Sequence, residues 1–257
     1  MKNNKNSDFE AVIFDLDGVI TKTAQTHSAA WKKMFDDYLK KREQQYGEPF
    51  VAFTQSDYLN YVDGKPRYKG VASFLASRGI DLVLGTPEDE AGKETVCGLG
   101  NQKNNAFLEV LKKDGAEVFP STVNLMKELK AGGIPMGVAS SSKNCKAVLE
   151  AVRLEHFFGA RVDGVVSVEL GLNGKPEPDI FTTACKKLGA SPAKSIVEED
   201  AVSGVQAGAK GNFGLTLGIA REDNTEELRQ NGADVVVSDL EEINGLEGLK
   251  KIFHKNQ

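Results

Sequence analysis

Short uninterrupted apolar runs recur along the chain, at Ala11–Phe14, Met136–Ala139, Gly164–Val168, Ser195–Val197, Gly214–Leu217 and Val235–Val237. A run of this length without polar alternation marks a strand covered on both faces. Between the later runs the apolar positions fall at helical spacing. Val123, Leu125, Met126 and Leu129 share one face before Gly132-Gly133; Ala147, Val148, Leu149 and Val152 follow; Ile180, Phe181, Ala184 and Leu188 precede Gly189. Strand and helix alternating through short connections predict a mostly parallel sheet with right-handed crossovers. Residues 24–115 break this rhythm. Trp31, Phe35, Tyr38 and Leu39 fall at i, i+4, i+7 and i+8 of one helix face, and Phe107, Leu108 and Leu111 mark another helix near 101–113. Leu82–Leu99, with three Gly and one Pro, reads as a long ordered loop. The predicted organisation is an α/β core of residues 10–23 and 116–257, interrupted by an inserted, mainly helical domain of residues 24–115. Residues 1–9 read as a disordered lead-in.

Composition narrows this picture by exclusion. The 257 residues are 40% hydrophobic, enough for a core, and carry a net charge of −5. A chain without a positive field is a poor holder of a polyphosphate backbone, so no nucleic-acid partner is expected. No apolar stretch approaches the roughly 20 residues needed to span a bilayer, and the polar start Met1-Lys2-Asn3-Asn4 is not a signal-peptide core. Cys97, Cys145 and Cys185 are far apart, so neither a disulfide framework nor a structural zinc site is expected. His27, His156 and His254 are equally scattered, and no membrane partner is foreseen. The expectation is a soluble protein of a reducing, cytoplasmic compartment.

Candidate chemistry gathers where the predicted strands end. Asp15-Leu16-Asp17-Gly18-Val19 follows the first strand directly, and two carboxylates at i and i+2 there enter the space beyond its carboxyl end, where open α/β sheets take their ligands. One carboxylate can attack phosphorus while its neighbour moves a proton, and their mutual repulsion beside a phosphate calls for a cation, Mg2+. The bland alternative is an Asp-Gly turn with solvated carboxylates. Ser140 ends the second strand, where its hydroxyl can hold a phosphoryl oxygen, and Ser141-Ser142-Lys143-Asn144 opens a helix with Ser142 as its expected N-cap. Lys175, in Gly174-Lys175-Pro176-Glu177-Pro178-Asp179, can neutralise a carboxylate nucleophile and a phosphoryl oxygen together, with Pro178 at a first helical position. Glu199-Asp200 closes another buried run, where acidic residues need a compensating cation; strand alternation turns Glu198 away from them. A P-loop is excluded, since each Gly-Lys pair precedes Pro or Glu.

The order Asp15/Asp17, Ser140, Lys175, Glu199/Asp200 on successive strand ends resembles the haloacid dehalogenase superfamily of Asp-nucleophile phosphotransferases across residues 10–240. The resemblance implies a Rossmann-like parallel core, with the inserted block as a mobile helical cap. It further implies Asp15 as nucleophile, Asp17 as general acid and base, Ser140 and Lys175 as phosphate ligands, and Asp15, Asp17, Glu199 and Asp200 as the Mg2+ set. Asp15-Leu-Asp-Gly-Val-Ile-Thr, Thr23-Ala24 with His27 and Trp31, Ser140 to Asn144, and Lys175-Pro-x-Pro-Asp179 resemble the β-phosphoglucomutase group. On that likeness His27 aligns catalysis, Arg67 binds the phosphate distal to the nucleophile, Ser142, Lys143 and Asn144 assist it, and Lys103-Asn104 matches a cap pair. Trp31 reads as helix-face core.

Two departures stand out. Lys22 occupies a position where the group commonly has an acidic residue, and the cap carries extra sequence around 80–100. That stretch, Glu94-Thr-Val-Cys-Gly-Leu-Gly-Asn101, together with Tyr61-Val-Asp-Gly-Lys-Pro-Arg-Tyr68, looks like a subgroup sometimes joined to trehalose- or maltose-type phosphorylases. The implied activity is phosphoryl transfer on a small sugar phosphate, β-glucose 1-phosphate to glucose 6-phosphate. The alternatives are a sugar-phosphate phosphatase, for instance on trehalose 6-phosphate or a hexose phosphate, and a non-catalytic binding protein, against which the intact Asp15, Asp17, Lys175 and Asp200 argue.

Overall fold

The computed structural model describes residues 9–221 and 223–257. The described chain falls into two compact units, Thr23–Ala116 and the remainder. In chain order, β1 (Ala11–Phe14) leads into the inserted unit, built from α1 (Thr23–Tyr46), the single turn α2 (Gln55–Asp57), α3 (Arg67–Ser77) and α4 (Val96–Asp114). The first unit then resumes with α5 (Pro120–Ala131), β2 (Met136–Ala139), α6 (Cys145–Ala151), β3 (Ala160–Val162), α7 (Gly164–Glu169), α8 (Asp179–Lys187) and β4 (Ser195–Glu199). It ends with α9 (Val202–Lys210), β5 (Leu215–Ile219), α10 (Thr225–Gln230), β6 (Val235–Val237) and α11 (Gly245–Lys255).

The strands of the first unit form one six-stranded sheet in the order β3-β2-β1-β4-β5-β6. Every neighbouring pair is parallel. The chain winds outward from β1 through β2 to β3, and outward on the other side from β4 to β6. The order therefore reverses between β1 and β4, the crevice where such sheets bind ligands. Register fixes what meets there. Phe14 pairs with Val138 on one side and Glu198 on the other, so the residues just beyond these strands emerge at one level. One face of the sheet is sealed by Ile13 and Val197 packed on Ile180, Phe181 and Ala184 of α8.

The inserted unit has its own core. The apolar stripe of α1 is buried through Trp31, Met34, Phe35, Tyr38 and Leu39, and it packs with Phe53, Phe74 and Leu99. Trp31 is core here, stacked against Phe35 at 5.4 Å. No helix among the described residues is long and apolar enough to cross a membrane.

Several expectations need correction. Gly164–Val168 is the helix α7, not a strand, because the Asp163 carboxylate accepts the amides of Val165 and Val166 at 3.0 Å and starts a helix there. A cap of this kind outweighs the β-preference of three valines, and Val168 is left 69% exposed. The strand lies just upstream, at Ala160–Val162, where Arg161 hid the apolar run. The helix expected near 101–113 begins at Val96, since the Thr95 hydroxyl accepts the Gly98 amide and caps it. Ser142 does not cap α6: its hydroxyl accepts the Asn144 amide at 3.1 Å and the helix starts at Cys145. Pro178 is the residue before α8 rather than its first. Of the lead-in, residues 1–8 lie outside the described chain, while Phe9 is buried against Phe253.

Candidate active site

Asp15 leaves β1 with its amide bonded to the Glu198 carbonyl at 2.9 Å, which carries the β1–β4 ladder one residue past the strand. The turn that follows is tied at almost every carbonyl. Leu16 accepts the amides of Ile20 and Thr21, and Val19 accepts the Thr122 hydroxyl at 2.7 Å. Ile20 accepts the Phe119 amide at 3.0 Å. Gly18 closes the turn at φ +87°, and a Cβ there would overlap the Asp200 carboxylate, so only glycine fits.

Lys175 supplies the charge at the centre. It is 3% exposed, its ammonium bonds the Asp15 carboxylate, and it donates to Glu199 Oε2 at 2.5 Å. Burial disfavours the ammonium, yet Asp15 and Glu199 more than offset this and push its pKa above the usual lysine range. Glu199 is fixed from the other side, where its Oε1 accepts the amides of Asp200 and Ala201 at 3.1 and 3.0 Å. Ser140 follows β2, with its amide on the Val162 carbonyl and its hydroxyl accepting the Ser142 amide at 3.1 Å. Asp15, Ser140, Lys175 and Glu199 are all buried.

Negative charge outweighs Lys175 in this pocket of the sheet. Burial pushes the Asp15 carboxyl well above the usual range; Lys175 pulls it back, while Glu199 and Asp17 raise it further. The charges of Asp17 and Asp15 also reach Cys145 at the start of α6, whose thiol is raised chiefly by burial. Asp15, Glu199 and Asp200 offer carboxylate oxygens within 4.8 Å of one another. Hard oxygen donors with excess negative charge suit Mg2+. An ionised carboxylate has about four acceptor positions, so the donors already on Glu199 leave it one for an ion. The Asp17 carboxylate is not in that group of three.

The other candidates fall in two places. Ser142, Lys143 and Asn144 lie in the turn between β2 and α6, where Ser142 also accepts the Gly164 amide at 3.1 Å. His27, Arg67, Lys103 and Asn104 belong to the inserted unit. There the buried Lys103 ammonium lies 2.5 Å from His27 Nδ1, and the His27 ring stacks on Phe107 at 3.9 Å. An ammonium has no lone pair, so Nδ1 accepts and the proton of the neutral ring sits on Nε2. Lys103 also lies 5.0 Å over the Trp31 ring. Arg67 Nη2 donates to Asn104 Oδ1 at 2.7 Å, and burial lowers the guanidinium's pKa.

Two residues escaped the sequence reading. Arg221, just past β5, donates from Nε to the Gly18 carbonyl at 2.7 Å and from Nη1 to Asp239 at 3.0 Å, with its guanidinium 3.5 Å over Phe119. It braces the turn behind Asp17; the available signal was a cation at a strand end. Glu198 was read as turned away from Glu199, but not as buried. Neither of its carboxylate oxygens has a hydrogen-bond partner among the described residues, and burial pushes its pKa up to about 8. A carboxyl raised in the folded state costs stability as pH climbs from its ordinary 4.5 through about 8. Glu198→Leu is therefore expected to raise unfolding free energy by about 1–3 kcal/mol, more at pH 9 than at pH 5. Urea titrations at the two pH values check this, and an equal or negative effect would show that Glu198 has a partner worth keeping.

The comparisons with known proteins bear on the family and the fold. The family model for haloacid dehalogenase-like hydrolases matches residues 9–212. A β-phosphoglucomutase of Mycobacterium bovis is 47% identical over 237 residues, covering 91% of this chain and 90% of that protein. An uncharacterised glycosyl hydrolase of Mycobacterium tuberculosis is 38% identical over 90% of this chain, which spans only 17% of that longer protein. A crystal structure of β-phosphoglucomutase from Clostridium difficile superposes with TM-score 0.76 at 25% identity, covering 96% of this chain and 98% of that one. A buried lysine joining carboxylates at the switch point of a six-stranded parallel sheet, and these relatives, lead to one conclusion: the chain belongs to the haloacid dehalogenase-like family, in its β-phosphoglucomutase-like group, and is an enzyme of the phosphomutase or phosphatase type.

Proposed function

We propose that the chain is a Mg2+-dependent cytoplasmic β-phosphoglucomutase that converts β-glucose 1-phosphate to glucose 6-phosphate through a phosphoryl group carried on Asp15. The observation that carries this reading is the 47% identity to a β-phosphoglucomutase over nearly the whole of both chains. In the reaction, the phosphoryl group on Asp15 passes to the sugar O6 while Asp17 takes the hydroxyl proton. The bisphosphate so formed presents its other phosphate, an Asp15 carboxylate oxygen attacks that phosphorus, and Asp17 returns the proton to the departing O1. Lys175 and Ser140 hold the equatorial oxygens throughout. Mg2+, held by Asp15, Glu199, Asp200 and the carbonyl of Asp17, would neutralise charge between the carboxylates and the phosphoryl group.

A mutase must grip the sugar's second phosphate as well, and a phosphatase need not. Arg67 is assigned to that phosphate, and His27 with Lys103 to aligning the sugar. Removing the guanidinium with Arg67→Ala is expected to lower mutase turnover by roughly 100-fold while leaving hydrolysis of a small phosphate ester within about threefold. Equal losses in the two assays would favour a phosphatase, in which water releases the phosphoryl group from Asp15.

A further inference from the structure

The extra cap sequence has no role in the chemistry above, yet it is built as one piece with Arg67. Asp89 closes the segment into a compact turn: its Oδ2 accepts the Thr86 amide at 3.1 Å and the Thr95 hydroxyl at 2.7 Å, and its Oδ1 accepts Lys93 at 2.6 Å. The carbonyls of Val83 and Leu84 take the first amides of α4, Val96 at 3.1 Å and Cys97 at 3.0 Å. The turn is thus fastened to the helix that carries Asn101, Lys103 and Asn104.

Asn101 is the junction. Its Nδ2 donates to the carbonyls of Pro87 at 3.0 Å and Asp89 at 2.8 Å, and its Oδ1 accepts the Tyr68 hydroxyl at 2.9 Å. With both amide protons spent on the turn, the oxygen must face Tyr68, and the amide has one orientation. Tyr68 follows Arg67 in the first turn of α3. Both side chains lie on the bare backbone of Gly100, where a Cβ would come within 2.8 Å of the Tyr68 ring and 3.2 Å of Arg67 Cδ. From that seat Arg67 reaches Asn104. The motifs 61–68 and 94–101 therefore meet, last residue to last residue, as Tyr68 on Asn101.

We propose that Tyr68 and Asn101 are positioning residues for Arg67, through which the 86–95 turn orients the guanidinium toward the second phosphate of a hexose bisphosphate. This rests on the mutase reading of Arg67 given above. A guanidinium held at one end by Asn104 and along its stem by a braced ring keeps its fork aimed, which shapes binding of the bisphosphate more than the chemical step.

The test uses the full-length enzyme with Mg2+, and reads the glucose 1,6-bisphosphate concentration that gives half-maximal mutase rate, alongside kcat. Tyr68→Phe removes one hydroxyl and keeps the ring. It is expected to raise that concentration roughly 3- to 10-fold, with kcat changed less than about twofold. Arg67→Ala is expected to raise it further, and the double variant to match Arg67→Ala alone within about twofold, because the hydroxyl acts only through the guanidinium. A purely structural role for Tyr68 would act equally in both backgrounds. That additive outcome, or an unchanged value in Tyr68→Phe, overturns the proposal while leaving the mutase reading intact. If Arg67→Ala itself leaves the value unchanged, the second-phosphate role of Arg67 falls and this proposal falls with it.

Discussion

Asp15→Asn is expected to lower turnover by roughly 10,000-fold or more in a protein that remains folded. The reasoning starts from the sheet. Asp15 is the first residue past β1, its backbone is pinned to the Glu198 carbonyl, and Lys175 fixes its side chain. Asparagine fills the same space, keeps one oxygen for the Lys175 ammonium, and lacks the anionic oxygen that attacks phosphorus in the proposed reaction. The fold should tolerate the change, since burial and two neighbouring carboxylates already push the Asp15 carboxyl upward and a neutral amide escapes that penalty. Steady-state assays with a parallel thermal melt check the prediction. Residual turnover above about 1% in pure, folded variant would remove Asp15 from the nucleophile's role.

Lys175→Met should damage both stability and activity. The ammonium joins Asp15 to Glu199, and all three residues are buried. Breaking a buried pair by deleting one partner leaves uncompensated charge and costs about 3–5 kcal/mol. The Asp15 carboxyl, already pushed up and then without the cation that pulls it back, can recover part of this by taking up a proton, so the variant's deficit should shrink as pH falls from 8 toward 5. Turnover should drop by roughly 1,000-fold, because in the proposed reaction a phosphoryl oxygen loses its charge-assisted donor. Urea unfolding at several pH values, read beside the assay, separates the two effects. Lost activity with unchanged stability at every pH would mean that the ammonium is held by something other than these carboxylates.

The sequence carried the core of the site because strand ends are legible. A buried apolar run with Asp15 or Ser140 directly after it, or with Glu199 closing its strand, marks both the strand and the place where its residues emerge. Parallel pairing with the register Phe14 to Val138 and Glu198 then brings those places together. Alternation said which way Glu198 turns, but not that its carboxylate oxygens would find no hydrogen-bond partner among the described residues. Arg221 was hidden for another reason: its partners, Gly18 and Asp239, are far away in sequence and close only after β5 and β6 join the sheet. The α7 error has a local cause, since one Asp163 cap overrides three β-branched residues. The extra cap sequence read as a loop because its order comes from side chains, Asp89, Thr95 and Asn101, rather than from apolar period.

In the proposed reaction phosphate moves from one sugar oxygen to another and is not released to water. Phosphorus NMR of the purified enzyme with β-glucose 1-phosphate, Mg2+ and a catalytic amount of glucose 1,6-bisphosphate reads this directly. A mutase makes the glucose 6-phosphate signal grow as the substrate signal decays, with total sugar phosphate conserved. Inorganic phosphate growing in its place would contradict the mutase reading.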